Sequence, residues 1–204
     1  MKRTCSMIMA CGYNGELGFL NDLLWELPRD MKHFVKTTRG ANVFMGRKTY
    51  ESLPKELAAL PGRSNFVISS NPGKVKQEYD SRALENIAQL KSEQSQKVKH
   101  LFNAERSLER AITKAVSEAD NPDYFDKKNI IIGGGSVYEY ALSKSLVKTI
   151  HRTVVHDSFH KADVRLLNMN LEDYGFVIAK SQHFAPDDEN KIGMSIEEWI
   201  HSSL

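Results

Sequence analysis

Asn129-Ile130-Ile131-Ile132-Gly133-Gly134-Gly135-Ser136-Val137-Tyr138 is the stretch that decides the fold class. Its apolar start reads as a strand buried on both faces. The strand runs directly into three glycines and then into a helix from about Ser136 to Leu142. A strand that hands over to a helix in this way belongs to an α/β protein, where ligands collect at the carboxyl ends of the strands. The start of a helix offers unpaired N–H groups and a positive dipole end, and glycine lets a phosphate approach the backbone. Glycines that merely make a tight turn are the competing explanation.

A second junction repeats the pattern. Asn42-Val43-Phe44-Met45-Gly46 reads as a buried strand stopping at glycine. Arg47, Lys48 and Thr49 follow, adding two cations and a hydroxyl, and a short helix over Lys48–Leu53 is broken by Pro54. Two phosphate-ready junctions suit a dinucleotide whose phosphates are divided between them. Neither junction is a G-x-G-x-x-G fingerprint or a P-loop, so a standard Rossmann domain and an NTPase are both disfavoured.

Other elements extend outward from these two. Met7–Cys11 reads as a first buried strand, and 12–24 as a glycine-bearing loop. A helix beginning at Pro28 ends near Arg39-Gly40. Asn65–Ser70 is a strand, closed by Asn71-Pro72-Gly73, a turn signal. Leu84, Ile87 and Leu90 have helical spacing, and the polar 91–99 stretch reads as an exposed excursion. A short strand is expected near Val98–Phe102. Ser107 can cap a helix whose apolar face is Leu108, Ala111, Ile112, Ala115 and Val116, ended by Asp120-Asn121-Pro122-Asp123. Val147–Val155, Phe176–Gln182 and Met194–Ile200 read as strands, the last two joined by Pro186-Asp187-Asp188-Glu189-Asn190. That order predicts antiparallel additions to a mostly parallel sheet. No repeat or linker divides the chain, so a single domain over 1–204 is expected.

Asp30 stands out because it lies in an apolar segment. Pro28 suits the first helical turn, where its missing N–H costs nothing. Counting from there, Leu27, Met31 and Phe34 share one face, with Asp30 beside Phe34. A carboxyl on an apolar face loses hydration, its pKa rises, and it becomes a proton donor or relay suited to neutral pH. The alternative is a first-turn aspartate that stabilises the helix dipole from solvent.

Composition narrows the function classes. Among 204 residues, 41% are hydrophobic and 26% charged, as in ordinary soluble globular proteins. A net charge of +2 indicates no strong attraction to nucleic acid or membrane. No apolar run reaches the length of a membrane span. The apolar start is better explained by a buried strand than by a signal peptide, since Gly12-Tyr13-Asn14-Gly15 reads as a turn. Cys5 and Cys11, if on one strand, lie about 20 Å apart at ~3.3 Å per residue, too far for a bridge. A reduced, intracellular setting is therefore expected. His156 and His160 are four apart, but their context reads as a strand end and loop without a third ligand, so no metal is expected. No G-x-S-x-G elbow supports hydrolase chemistry. Arg63 follows Leu60-Pro61-Gly62, a rigid turn from which a guanidinium could grip a carboxylate.

These motifs together resemble the dihydrofolate reductase family. The residues that carry the resemblance are Leu17-Gly18, Leu24-Trp25-Glu26-Leu27-Pro28-Arg29-Asp30, Phe34, Met45-Gly46-Arg47-Lys48-Thr49, Leu60-Pro61-Gly62-Arg63, Ser69-Ser70, Ile132-Gly133-Gly134-Gly135-Ser136-Val137-Tyr138, and Thr153. The resemblance implies an α/β fold, a central, mostly parallel eight-stranded sheet with an antiparallel C-terminal edge, flanked by helices. It implies NADPH-dependent reduction of 7,8-dihydrofolate to tetrahydrofolate, supplying one-carbon metabolism for thymidylate and purine synthesis. By position, Asp30 would hold the pterin ring and support protonation of N5 through water, with Thr153 orienting the carboxylate and Trp25 closing one end of the pocket. Ile8, Met31, Phe34, Leu53 and Leu60 would line the pocket, and Arg63 would bind the glutamate-tail carboxylate. Ala10, Leu17, Gly18 and Ile132 would sit near the nicotinamide. Gly46, Arg47, Lys48, Thr49, Gly134, Gly135, Ser136, Val137 and Tyr138 would hold the cofactor phosphates, and Ser69 and Ser70 the adenosine side.

Hydride transfer needs two flat rings stacked in a slot shielded from water, which an apolar pocket with a single acid supplies. The 12–24 loop is a natural lid. The resemblance further implies dihydrofolate and antifolates as small-molecule ligands, no nucleic-acid or membrane partner, no metal, a monomer, and a cytoplasmic location. There are departures. Leu24 stands where a proline is common, 55–59 and 74–106 are longer than in compact bacterial members, and Ser136 stands where some members carry an arginine. With Arg47 and Lys48 retained, NADPH is still favoured over NADH. The alternatives are a related NADPH-dependent pyrimidine reductase of the riboflavin pathway and a non-catalytic folate- or dinucleotide-binding protein. The Trp25–Asp30 segment and Arg63 argue against both.

Overall fold

A computed structural model describes residues 4–89, 101–117 and 127–203. In chain order the elements are β1 (Cys5–Cys11), β2 (Glu16–Gly18), α1 (Pro28–Thr38), β3 (Asn42–Gly46), α2 (Arg47–Glu51), β4 (Ser64–Ile68), α3 (Pro72–Gln89), β5 (Leu101–Glu105), α4 (Leu108–Ser117), β6 (Asn129–Gly133), α5 (Gly135–Ser143), β7 (Val147–Val155), β8 (Val164–Arg165), β9 (Phe176–Phe184) and β10 (Met194–His201). Eight of the strands make up the principal sheet, as the resemblance implies. The chain forms two compact units, one from residues before Thr38 together with those after Asn129, the other from Thr38–Asn129.

In the first unit the strands run β6-β1-β7-β10-β9. β1 pairs in parallel with β6 and β7, while β10 is antiparallel to β7 and β9. The apolar β1 is covered on both faces: Met7, Ile8 and Met9 are all buried. This is how an internal parallel strand earns its continuous hydrophobic run. β9 ends the order, and all its residues after Phe176 are exposed or half-buried. β2 and β8 form a separate two-stranded ribbon, so the 12–24 stretch is not wholly loop.

The second unit carries the parallel trio β5-β4-β3. Phe44 and Phe66 stack at 5.0 Å across β3 and β4. Tyr50 and Tyr79 both pack on Phe102, at 5.3 and 4.1 Å.

Several expectations change. Asn71-Pro72-Gly73 is not a turn but the start of α3: the Asn71 side chain accepts from Lys74 N at 3.1 Å, and Pro72 occupies the first helical position. The same residues that favour turns also favour helix starts. Leu84, placed on an apolar helical face by its spacing, is 68% exposed. In α4, Ser107 caps Arg110 N at 3.3 Å and Leu108, Ala111, Ile112 and Ala115 are buried, but Val116 is 52% exposed. Val116 falls just outside the stripe that this helix buries. The strand expected near 98–102 is β5, which runs on to Glu105. Leu90, the 91–99 excursion and the Asp120–Asp123 stop lie outside the described residues. Cys5 and Cys11 are free and buried.

Candidate active site

The first unit holds the acid. Pro28 opens α1, and Asp30 sits in its first turn. The carboxyl is half-buried. Burial pushes its pKa above the ordinary carboxylate value, opposed by the hydrogen bond with the Thr153 side chain and by nearby His33. Desolvation therefore wins, as expected for a carboxyl on an apolar face. Thr153 is 1% exposed on β7, in register with Ala10 of β1. Its carbonyl accepts from Cys11 Sγ. His33, one turn along α1, is itself held below its usual pKa by burial, and its Nε2 is buried without a partner.

In the same unit, Trp25 is buried against Leu27, Val155 and Met194, with Ala10 and Leu24 packed on the same cluster. The Trp25 and Phe159 rings lie 5.0 Å apart, and Trp25 Nε1 is a buried donor without a partner. Ile8 is buried and its carbonyl accepts the Tyr138 hydroxyl at 2.8 Å. Phe34 is half-buried, whereas Met31 is 48% exposed.

The glycine junction lies in the same unit. β6 is buried from Ile130 through Ile132 to Gly133, and α5 begins at Gly135 behind Gly134, which makes no side-chain cap. Val137 and Tyr138 are buried and Ser136 exposed. A Cβ on Gly135 would stand 3.3 Å from Val164 Cγ1 and 3.4 Å from Leu17 Cδ1. The β2–β8 ribbon, with Leu17 and Gly18 in β2, thus packs onto this junction, and any larger residue at 135 would have to move it.

The second unit places Gly46 at the end of β3 as the N-cap of α2, again without a side-chain cap. Arg47 and Lys48 are exposed and Thr49 half-buried. Arg47 pairs with Glu51. β3 and β4 are in register from Asn42↔Ser64 to Gly46↔Ile68, which brings Ser69 and Ser70 to the same edge as Arg47. Ser69 Oγ accepts from Asn71 N at 3.1 Å, and Ser70 is exposed. Leu53 is half-buried and Leu60 buried. Arg63 is 9% exposed; its Nε donates to Thr38 Oγ1 at 2.8 Å and its Nη1 to Pro61 O at 2.7 Å. Burial and the Arg39 charge lower its pKa.

Three polar residues that sequence reasoning missed hold these segments in place. Asn65 is fully buried, accepts from Leu60 N and donates to Leu60 O and Arg63 O, so it shapes the Leu60–Arg63 turn. Glu16, 1% exposed, binds the Gly12–Gly18 segment to Phe159 and Arg165. Asn190, equally buried, reaches the first turn of α1. A short polar side chain inside a loop gives little local signal of burial, since such residues are ordinarily exposed. Among the described residues no group of three or more His, Cys, Asp or Glu could hold a metal ion. No helix among them is long and apolar enough to cross a membrane.

Comparison with known proteins places this arrangement. A family model described as dihydrofolate reductase matches residues 4–104 and 90–201. A protein of Caenorhabditis elegans named for dihydrofolate reductase is 30% identical over 178 residues, covering 83% of this chain and 80% of its own. The bifunctional dihydrofolate reductase-thymidylate synthase of Paramecium tetraurelia is 36% identical over 110 residues, which is 54% of this chain but only 23% of that protein. A solved dihydrofolate reductase from Enterococcus faecalis, complexed with NADP(H) and RAB-propyl, superposes with a TM-score of 0.67 at 18% identity, covering 99% of this chain and 98% of that one. That structure speaks for the fold, and the family match covers nearly the whole sequence: the chain belongs to the dihydrofolate reductase family.

Proposed function

We propose that this chain reduces 7,8-dihydrofolate to tetrahydrofolate with NADPH. The observation that carries the reading is Asp30: a half-buried carboxyl raised by burial and hydrogen-bonded by a buried threonine. Asp30 holds the pterin ring through its carboxylate and gives the proton a route to N5 through water. Thr153 orients that carboxylate. The raised pKa keeps a larger fraction of the acid protonated near neutral pH. Trp25 excludes water at one end of the ring slot, while Ile8, Met31 and Phe34 supply apolar surface, as do Leu53 and Leu60. Arg63, fixed by Thr38 and Pro61, receives the glutamate-tail carboxylate.

The residues present fit a dinucleotide. Neither glycine junction has its N–H groups taken by a capping side chain. Gly134, Gly135 and Ser136 would hold one phosphate region through backbone N–H groups, with Val137 and Tyr138, whose own N–H groups are given to Gly134 O, completing the turn behind them. Gly46, Arg47, Lys48 and Thr49 would hold the other, with the two cations favouring the extra phosphate of NADPH. Ser69 and Ser70 would face the adenosine, and Ala10, Leu17, Gly18 and Ile132 the nicotinamide. The cofactor, when bound, supplies the hydride. Two free, buried cysteines support a reducing, cytoplasmic setting.

The test is absorbance at the NADPH band with purified protein, with and without dihydrofolate, and with the pyrimidine substrate of the riboflavin pathway as a control. Oxidation of NADPH that depends on dihydrofolate is expected. No turnover at high protein concentration, or turnover of the pyrimidine instead, overturns the reading.

A further inference from the structure

The helix that carries Asp30 begins without a cap of its own. Its first residue, Pro28, has no N–H, and Leu27 before it has no polar side chain. The next donor, Arg29 N, is satisfied by Asn190 Oδ1 at 2.9 Å, 161 residues away. Asn190 belongs to the segment joining β9 and β10 and is 1% exposed. Its own amide is pinned in turn. Asp187 Oδ1 accepts from Asn190 Nδ2 at 2.8 Å, Asn190 N at 2.7 Å and Glu189 N at 3.0 Å. Asp187 Oδ2 accepts from Arg29 Nη2 at 2.7 Å, and Asp187 N donates back to Asn190 O at 2.9 Å. Two further contacts add to the clasp: the Arg29 guanidinium lies 4.7 Å from the Phe184 ring centre, and Lys32 meets Glu189 at 3.2 Å.

We propose that Asn190, locked by Asp187, is a positioning residue for the reaction: it caps the first turn of α1 from a distant hairpin and so sets the place of Asp30 against Thr153. The proposal rests on the reading of Asp30 as the acid. Asp30 is the residue after Arg29, so an error in the first turn is passed to its carboxyl directly. The cap acts within one turn, where unpaired N–H groups concentrate. A buried side chain with both amide atoms bonded has a single orientation, which an exposed capping residue lacks. Asp187 takes three N–H groups on one oxygen and a guanidinium on the other. The hydrogen bonds from Asn190 and Arg29 hold its carboxyl well below the usual range, so the clasp stays charged throughout the pH range of an enzyme assay.

The experiment follows the Asp30 carboxyl by 13C NMR titration in the free protein, together with kcat, the KM for NADPH and the pH profile. Asn190→Ala is expected to move the Asp30 midpoint upward, because the Thr153 hydrogen bond that lowers it is weakened. It is also expected to cost roughly tenfold in kcat, well within what a small misplacement removes, while the KM for NADPH stays within about twofold. Asn190→Asp keeps an acceptor for Arg29 N but sets a second carboxylate against Asp187 Oδ1, which already accepts from the backbone, so it is expected not to recover the loss. An unchanged Asp30 midpoint in folded Asn190→Ala overturns the proposal, even if kcat falls. If Asn190→Ala does not fold, Asp187→Ala on the surface is read by the same criterion, with a smaller upward movement expected. Absence of dihydrofolate reduction in the wild type would defeat the proposed function instead, and the titration alone would then decide the clasp.

Discussion

Glu16→Gln is the most quantitative test of the first unit. The Glu16 carboxylate is 1% exposed and receives Asn14 N at 2.8 Å, Asn14 Nδ2 at 3.1 Å, Phe159 N at 3.1 Å and Arg165 Nη1 at 2.9 Å. Burial alone would raise its pKa, but the hydrogen bonds prevail and take it from 4.5 to about 2. A lowering of roughly 2.5 pH units at about 1.36 kcal/mol each corresponds to about 3.4 kcal/mol of stability at neutral pH. Arg165 is 35% exposed, so solvent screens part of this, and about 2–3 kcal/mol is a fairer expectation. Glutamine keeps the size but not the charge, and its amide faces the same donors. The loss should lower Tm by roughly 4–12 °C at pH 7 for a chain of this length. The sign with pH is fixed. A depressed carboxylate contributes fully above its unfolded value of 4.5 and loses that contribution as pH falls towards about 2. The gap between wild type and variant should therefore shrink by about two fifths at pH 3.5. Urea unfolding at pH 7 and pH 3.5 measures both. A gap at pH 7 smaller than about 0.5 kcal/mol, the size of an ordinary surface change, would refute the reasoning, as would a gap that widens on acidification.

Other outcomes follow from the acid and the arginine. Asp30→Asn should lower kcat by roughly 10²–10⁴ at neutral pH with NADPH affinity nearly intact, and fluorescence titration of the cofactor separates the two; equal activity across pH would remove Asp30 from its role. Thr153→Val removes a hydrogen bond that lowers the Asp30 pKa, so the pH–rate profile should move to higher pH, and a shift to lower pH would contradict the assignment. Arg63→Leu should raise the KM for dihydrofolate more than it changes NADPH affinity, and the reverse pattern would mean that Arg63 serves the cofactor.

Much of the fold was legible because its signals are local. β3 and β7 have the expected bounds, and α1 starts at Pro28 as its proline predicts. The raised pKa of Asp30 also followed from spacing, since helical period alone puts it beside Phe34. Legibility failed where one local pattern serves two structures. Asn71-Pro72 opens a helix here, yet the same dipeptide opens turns. It failed also where burial depends on partners: Val116 fits a helical stripe but is left 52% exposed.

By itself the sequence determined the α/β class, the order of strands and helices, both glycine junctions and the acid on its helix, because periodicity, proline and glycine act through neighbours in the chain. Only the tertiary structure decided how those parts are held. Glu16 meets Phe159 across 143 residues, and Asn190 meets Arg29 across 161. Hydrogen bonds between such distant groups leave no periodic trace, since each depends on one polar side chain being buried against one backbone donor. The acid at Asp30 could be found in the sequence, but the clasp that sets its place could not.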